Sequence, residues 1–204
     1  MFTGLIREMA SVQAYQNNEL TVKAEYAPCI GDSLAINGAC LTVVKTSEGS
    51  FTVELSPETQ HHMATENLKA KVHMEPAMQM GDRFEGHIVQ GHIDCIGEIT
   101  QIKNNGNSTD FFISIPEEFQ GFLVPKGSIT VDGVSLTINE VLDDGFRLTI
   151  IPHTIKESLF AIYTKGYKVN IETDMFARYI FHLFKPKSKE SVSWDDINKI
   201  TALY

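Results

Sequence analysis

Most of this 204-residue chain is written twice. Laid over each other at a constant shift of 95 positions, Ser33 to Thr59 and Ser128 to Thr154 keep Ser33/Ser128, Gly38/Gly133, Leu41/Leu136, Thr42/Thr137, Phe51/Phe146, Pro57/Pro152 and Thr59/Thr154 identical. After a two-residue slip the echo resumes as KVHME (Lys71 to Glu75) and KVNIE (Lys168 to Glu172). Ahead of it, GLI (Gly4 to Ile6) answers GHI (Gly91 to Ile93). A unit near ninety residues exceeds a solenoid repeat and is large enough to bury its own core. The chain is therefore expected to form two similar domains, residues 1–84 and 85–173, followed by a C-terminal helix and tail, residues 174–204. The alternative, one sheet of strands that merely look alike, would not keep turn residues and prolines in register along with hydrophobes.

Within each copy, apolar residues alternate around an Asn-Gly or Asp-Gly pair, a pattern that predicts a hairpin closed by a two-residue turn. With Asn37-Gly38 as the turn, Ile36 faces Ala39 and Leu34 faces Leu41 on the buried side. Ala35/Cys40 and Ser33/Thr42 then lie on the other side. The second copy places Thr130/Ser135 and Ser128/Thr137 on its own outer face. A further alternating stretch follows in each half, Phe51-Val53-Leu55 and Phe146-Leu148-Ile150, and is ended by Pro57 or Pro152. Short strands with turn signals at this spacing predict small antiparallel barrels that each carry a patch of hydroxyl or thiol groups on the outside.

The C-terminal end changes period. Phe176, Tyr179, Ile180, Leu183 and Phe184 recur at helical spacing behind Asp174, a potential N-cap, and form an apolar stripe suited to burial against another subunit. Beyond it, Lys185 to Lys189 reads as a charged linker, and Ser193 with Asp196 as a capping box for a short tail helix through Ile197 and Ile200.

A formal net charge of −9 argues against the clustered positive surface that nucleic acid requires, so a small-molecule partner is expected. No apolar run approaches the ~20 residues that cross a bilayer, and no signal-peptide pattern opens the chain, which predicts a cytoplasmic protein with no membrane partner. Cys29, Cys40 and Cys95 have no metal-ligand spacing and suggest no disulfide framework.

Taken together and in order, MFTGLI (Met1 to Ile6), GDSLAINGACLTV (Gly31 to Val43), GDRFEGHIVQGHID (Gly81 to Asp94), KGSITVDGVSLT (Lys126 to Thr137), IPHT (Ile151 to Thr154) and KVNIETD (Lys168 to Asp174) resemble the riboflavin synthase α-chain family, from Met1 to about Phe184. The resemblance implies an all-β fold of two six-stranded Greek-key antiparallel barrels with a C-terminal helix that assembles a homotrimer. It implies a site between the first barrel of one subunit and the second barrel of its neighbour, with no cofactor and no metal. The implied reaction is the dismutation of two 6,7-dimethyl-8-ribityllumazine molecules, by transfer of a four-carbon unit, to riboflavin and 5-amino-6-(ribitylamino)uracil. Whether a lumazine synthase shell encloses the trimer stays open.

Motif by motif, the resemblance also implies site residues. His92 places an imidazole where the first copy has Leu5, and general acid-base work is wanted in one pocket only; the alternative is a structural histidine. Ser135 and Thr137 match positions that activate a nucleophile, and Asp174 matches an acid near the site whose rival role is the helix cap. Cys40 matches a cysteine beside the bound ring, against the commoner fate of a buried inert thiol, and Lys126 matches a binding lysine. Further implied contacts come from Phe2, Thr3, Gly4, Leu5 and Ile6, from Ser33, Leu41 and Thr42, and from Glu54, Leu55, Ser56, Pro57, Glu58 and Thr59. The second copy adds Gly91, Ile93 and Leu136, then Ile150, Ile151, Pro152, His153, Thr154 and Ile155. His87 could pair with His92 at a metal, but no third ligand follows at sensible spacing.

Overall fold

The computed structural model describes residues 1–184; the charged linker and tail helix expected after Phe184 lie outside the described residues. The first copy runs β1 (Glu8–Gln16), β2 (Glu19–Lys23), β3 (Ser33–Ile36), β4 (Ala39–Ser47), β5 (Ser50–Glu54), α1 (Pro57–His62) and β6 (Lys71–Pro76). The second runs β7 (Cys95–Asn104), β8 (Thr109–Ser114), α2 (Glu117–Gln120), β9 (Ser128–Val131), β10 (Val134–Thr137), β11 (Glu140–Leu142), β12 (Gly145–Ile150), α3 (Pro152–Lys156) and β13 (Lys168–Thr173), and α4 (Met175–Phe184) follows. No described helix is long and apolar enough to span a membrane.

Both hairpins form in the expected register. Leu34 pairs with Leu41 and Ala35 with Cys40, as Ile129 pairs with Leu136 and Thr130 with Ser135. Positive φ at both turn residues, 44° and 84° at Asn37-Gly38 and 46° and 82° at Asp132-Gly133, identifies the type I′ turn that matches strand twist. The inward residues Leu34, Ile36, Val43, Ile129, Val131 and Ile138 are buried to within 1%, each contributing roughly 1.5–3 kcal/mol by leaving water.

The first copy closes into a barrel in the order β1-β2-β5-β4-β3-β6. The second curls in the same order, β10-β9-β13-β7-β8-β12-β11, but stays open at one seam. Where β4 carries a bulge between Val43 and Lys45, the matching strand breaks into β10 and β11 at Ile138 and Asn139. There the Asn139 side-chain oxygen accepts the Thr149 N–H at 2.6 Å. A side-chain amide has taken over a ladder bond, so one of the expected six strands is split in two and the sheet has seven.

The copies interlock more tightly than the repeat suggests. Ahead of β1, Phe2 pairs with Val89, and the Gly4 carbonyl accepts the Ser135 N–H at 2.8 Å, across in the second copy. Ahead of β7, the Gly91 carbonyl accepts the Cys40 N–H of the first copy at 2.8 Å. Ile6 accordingly packs on the second core and Ile93 on the first. The two turns also meet tip to tip: a Cβ on Gly38 would stand 2.8 Å from the Gly133 nitrogen, a separation that only glycine permits.

A matched pair of side chains ties the barrels together. His73 donates from Nδ1 to the Asp132 carbonyl at 2.9 Å and accepts the Leu159 N–H on Nε2 at 2.7 Å. In its register position, Asn170 donates to the Asn37 carbonyl at 2.9 Å and accepts the Ala64 N–H at 2.8 Å. Burial holds His73 down at about 4 against the opposing carbonyl bond, so its ring is neutral and its two bonds fix the tautomer.

Candidate functional site

The outer faces of the hairpins open onto two cavities with no lining residue in common. The first, of about 440 Å3, is lined by Cys40, Glu58, Thr59, Gly91, His92 and Ile93 of the expected set. His62, Asp94 and Phe119 join them. His92 thus comes from the second copy but serves the first barrel, because its segment has crossed over. The second cavity, of about 220 Å3, is lined by Ser135, Leu136, Thr137, Ile150, Ile151 and Thr154, with Asn139, Leu148 and Thr149.

Other expected contacts are placed differently. Phe2 is fully buried with Ala35 and Val89 between the barrels, so its side chain wedges the crossing. The Leu41 and Leu55 side chains lie in the first core and leave only backbone to offer. Thr42, Glu54, Ser56, Pro57, Pro152 and His153 are exposed on the rims, while Ser33 and Ile155 are half-buried. The Asp174 carboxylate accepts the Phe176 N–H at 2.8 Å and caps α4.

Two matched carboxylates hold the crossing segments. Glu75 accepts from Thr3 N at 2.7 Å, Thr3 Oγ1 at 2.8 Å and Gly4 N at 2.9 Å. Glu172 accepts from Gln90 N at 2.8 Å, Gly91 N at 2.9 Å and His92 N at 3.2 Å. Burial pushes the Glu172 carboxyl up to about 7, although the Gln90 and Gly91 amides and the Arg178 charge oppose it. Burial likewise raises Glu75, against its bonds from Thr3 and Gly4.

Sequence reasoning missed one contact beside the second cavity. His87 Nδ1 lies 2.8 Å from Ser135 Oγ. Burial lowers the affinity of His87 for a proton, and the nearby Asp174 charge only partly restores it. A neutral imidazole against a hydroxyl can accept its proton, the arrangement that activates a serine oxygen. The sequence signal is His87 itself, whose spacing from His92 points to a metal pair and not to a hydroxyl partner. Among the described residues no group of three or more His, Cys, Asp or Glu could hold a metal ion.

Lys126 sits at the mouth of the second hairpin with φ of 64°, where the first copy has Gly31 at 94°. Both donate the same turn bond, to Ile138 O at 2.8 Å and to Val43 O at 2.9 Å. A lysine in this left-handed region carries about 1–2 kcal/mol of strain that glycine does not. Lys126→Gly is therefore expected to stabilise the fold by roughly 0.5–1 kcal/mol in thermal unfolding; a loss of stability would show that the lysine side chain makes a compensating contact.

The sequence profile of the family described as "Lumazine binding domain" matches residues 3–77 and again residues 90–174. The chain belongs to the lumazine-binding domain family. Each match starts at a crossing segment and ends at the strand that carries its clamping carboxylate, β6 or β13. A riboflavin synthase of Photobacterium phosphoreum is 42% identical, with 94% of both chains covered. One of Bacillus subtilis (strain 168) is 39% identical over 98% of this chain and 96% of the relative. Of solved structures, LumP complexed with riboflavin superimposes with a TM-score of 0.76 at 20% identity, covering 85% of this chain and all of that one; this likeness concerns the fold.

Proposed function

We infer that the chain is a riboflavin synthase, converting two molecules of 6,7-dimethyl-8-ribityllumazine into riboflavin and 5-amino-6-(ribitylamino)uracil. The observation that carries the reading is the pair of similar but unlike cavities, one with Cys40 and His92 and the other with Ser135 and Thr137, in a chain 42% identical to a riboflavin synthase over 94% of its length. Two identical substrates with unequal roles call for two related pockets that differ at reactive positions. Relatives of the fold bind the same ring systems, since LumP has been crystallised with riboflavin and with the lumazine.

Holding two rings face to face converts an encounter between solutes into a reaction within one complex, a gain that reaches ~7–11 kcal/mol when the geometry is close to attack. In this reading His92 moves a proton in the first cavity. In the second, Ser135, with His87 as its base and Thr137 beside it, delivers or activates the nucleophile. Asp174 adds a carboxylate at the head of α4, Lys126 binds substrate, and Cys40 contacts the ring. No described residue lines both cavities, which supports pairing the first cavity of one subunit with the second of its neighbour. The apolar stripe of α4, with Phe176, Tyr179, Ile180, Leu183 and Phe184 each more than half exposed, supports a homotrimer assembled through that helix. The cytoplasm is the proposed location.

The test uses purified protein and the lumazine alone. Flavin fluorescence is expected to grow with one riboflavin formed per two lumazines consumed; a single tightly held chromophore without turnover would overturn the reading in favour of a carrier. Co-expression of His92→Ala and Ser135→Ala chains then tests the shared site, because a mixed trimer regains some wild-type pockets. Two inactive variants that fail to complement would refute the intersubunit arrangement.

A further inference from the structure

We propose that Arg178 is a positioning residue for His92, tying the C-terminal helix to the segment that presents the imidazole. The inference rests on the riboflavin synthase reading and on a role for His92 in the first cavity.

The segment from Gln90 to Asp94 is a loop that sends His92, Ile93 and Asp94 to the cavity wall, and the His92 side chain is exposed there, so the backbone of the loop decides where the imidazole points. One guanidinium spans it. Arg178 donates from Nη1 to Asp94 Oδ1 at 2.8 Å and from Nη2 to Gln90 Oε1 at 2.8 Å, and Nη2 stands 3.9 Å from Glu172 Oε1. Between those two anchors, Glu172 holds the amides of Gln90, Gly91 and His92 from the other side. The second oxygen of Asp94 is itself fixed, accepting Thr173 N at 2.7 Å and Thr173 Oγ1 at 2.6 Å. The fork geometry of arginine suits this two-point grip, which an ammonium cannot reproduce.

The base of the clamp is anchored at two points. Asp174 caps α4, and one turn beyond Arg178 the Phe181 ring packs edge-on to Phe122 with centroids 5.0 Å apart, against Gly121, where a Cβ would meet the ring at 2.6 Å. Among the described residues, the matching segment of the first copy has no such clamp. Glu75 holds it through Thr3 and Gly4, and in the register position of Asp94 stands Arg7, whose charge acts on Glu75. The reach from α4 exists on the copy that carries the histidine, where the first copy has only Leu5.

The experiment measures steady-state kinetics with the lumazine for Arg178→Ala, Arg178→Lys and Gln90→Ala, each made in the wild type and in a His92→Ala background. Misplacing a reacting group by about 1 Å costs up to ~10²-fold, so Arg178→Ala is expected to lower kcat about 10- to 10²-fold with KM nearly unchanged. Lysine recovers part of the loss by reaching one acceptor. Gln90→Ala, which keeps the Arg178–Asp94 ion pair and the helix in place, is expected to lower kcat in the same manner. In the His92→Ala background each substitution costs no more than about twofold, because coupled residues are non-additive. Equal fold losses in both backgrounds, as unfolding or subunit dissociation would give, overturn the inference while leaving the enzyme reading intact. A fully active His92→Ala protein would instead remove the role of His92, and the clamp's purpose with it.

Discussion

Replacing His92 by alanine lowers kcat by roughly 10²–10⁴, the range in which a positioned general acid or base acts, while the affinity for the lumazine and the melting temperature stay close to wild type. The expectation follows from how the side chain is held. Its backbone amide is fixed by Glu172 at 3.2 Å, but its ring is exposed in the first cavity and fills no core. Truncating an exposed side chain that anchors no structure usually changes stability by less than about 0.5 kcal/mol. Loss of kcat without loss of binding is the signature of a group that acts mainly in the transition state. His73 is the contrast: both ring nitrogens are bonded within the interface, and its removal would appear in unfolding before it appeared in kinetics. Turnover by flavin fluorescence, affinity by quenching of the bound lumazine and a thermal melt separate the two behaviours. A His92→Ala protein whose KM rises while kcat holds would show that the ring only binds.

The hairpins, their register and the α4 stripe were legible because each rests on a local signal. Asn37-Gly38 and Asp132-Gly133 fix a turn type, alternation fixes the face, and a 3.6-residue period marks the helix. The crossing of residues 2–5 and 89–92 was not legible, for a reason inherent in a duplicated chain: a segment that fits its own copy fits the other equally well. The periodicity therefore could not say that Ile93 packs on the first core or that His92 serves the first cavity. The echo did align His73 with Asn170, yet two unlike residues in register read as drift. Only the folded interface shows both making the same pair of bonds across it. Asn139 sits where the first copy has Val44, and nothing local announces that its amide replaces a strand bond. Arg178 finds its partners only once Gln90 and Asp94 are brought beneath it.

Replacing Asp132 by asparagine, the residue that the first copy carries as Asn37, makes the stability of the protein less sensitive to pH. Asp132 is buried at the meeting of the two turns. Its Oδ1 accepts the Asn170 N–H at 2.8 Å and its Oδ2 the Tyr163 hydroxyl. Burial pushes the carboxyl up to about 7, outweighing those two bonds, which favour the charged form. An unfolded aspartate loses its proton near 3.8. The folded state therefore holds the proton more tightly, and the stability this contributes is complete below about 3.8 and withdrawn as pH climbs to about 7. A gap of about three units corresponds to at most about 4 kcal/mol at 1.36 kcal/mol per unit. Asparagine never ionises, keeps an acceptor for Asn170 and can donate to the Tyr163 oxygen, so the stability of the variant relative to wild type rises from pH 4 to 7 and then levels off. His73 and Glu172 also titrate across this range, in opposite senses, but both proteins contain them and their contributions cancel in the difference. Urea unfolding of the two proteins at acid, intermediate and alkaline pH measures it. A difference that does not change with pH would mean that Asp132 remains charged in the folded protein and that the surrounding N–H and O–H groups, together with water reaching the turn, solvate it as well as bulk solvent does.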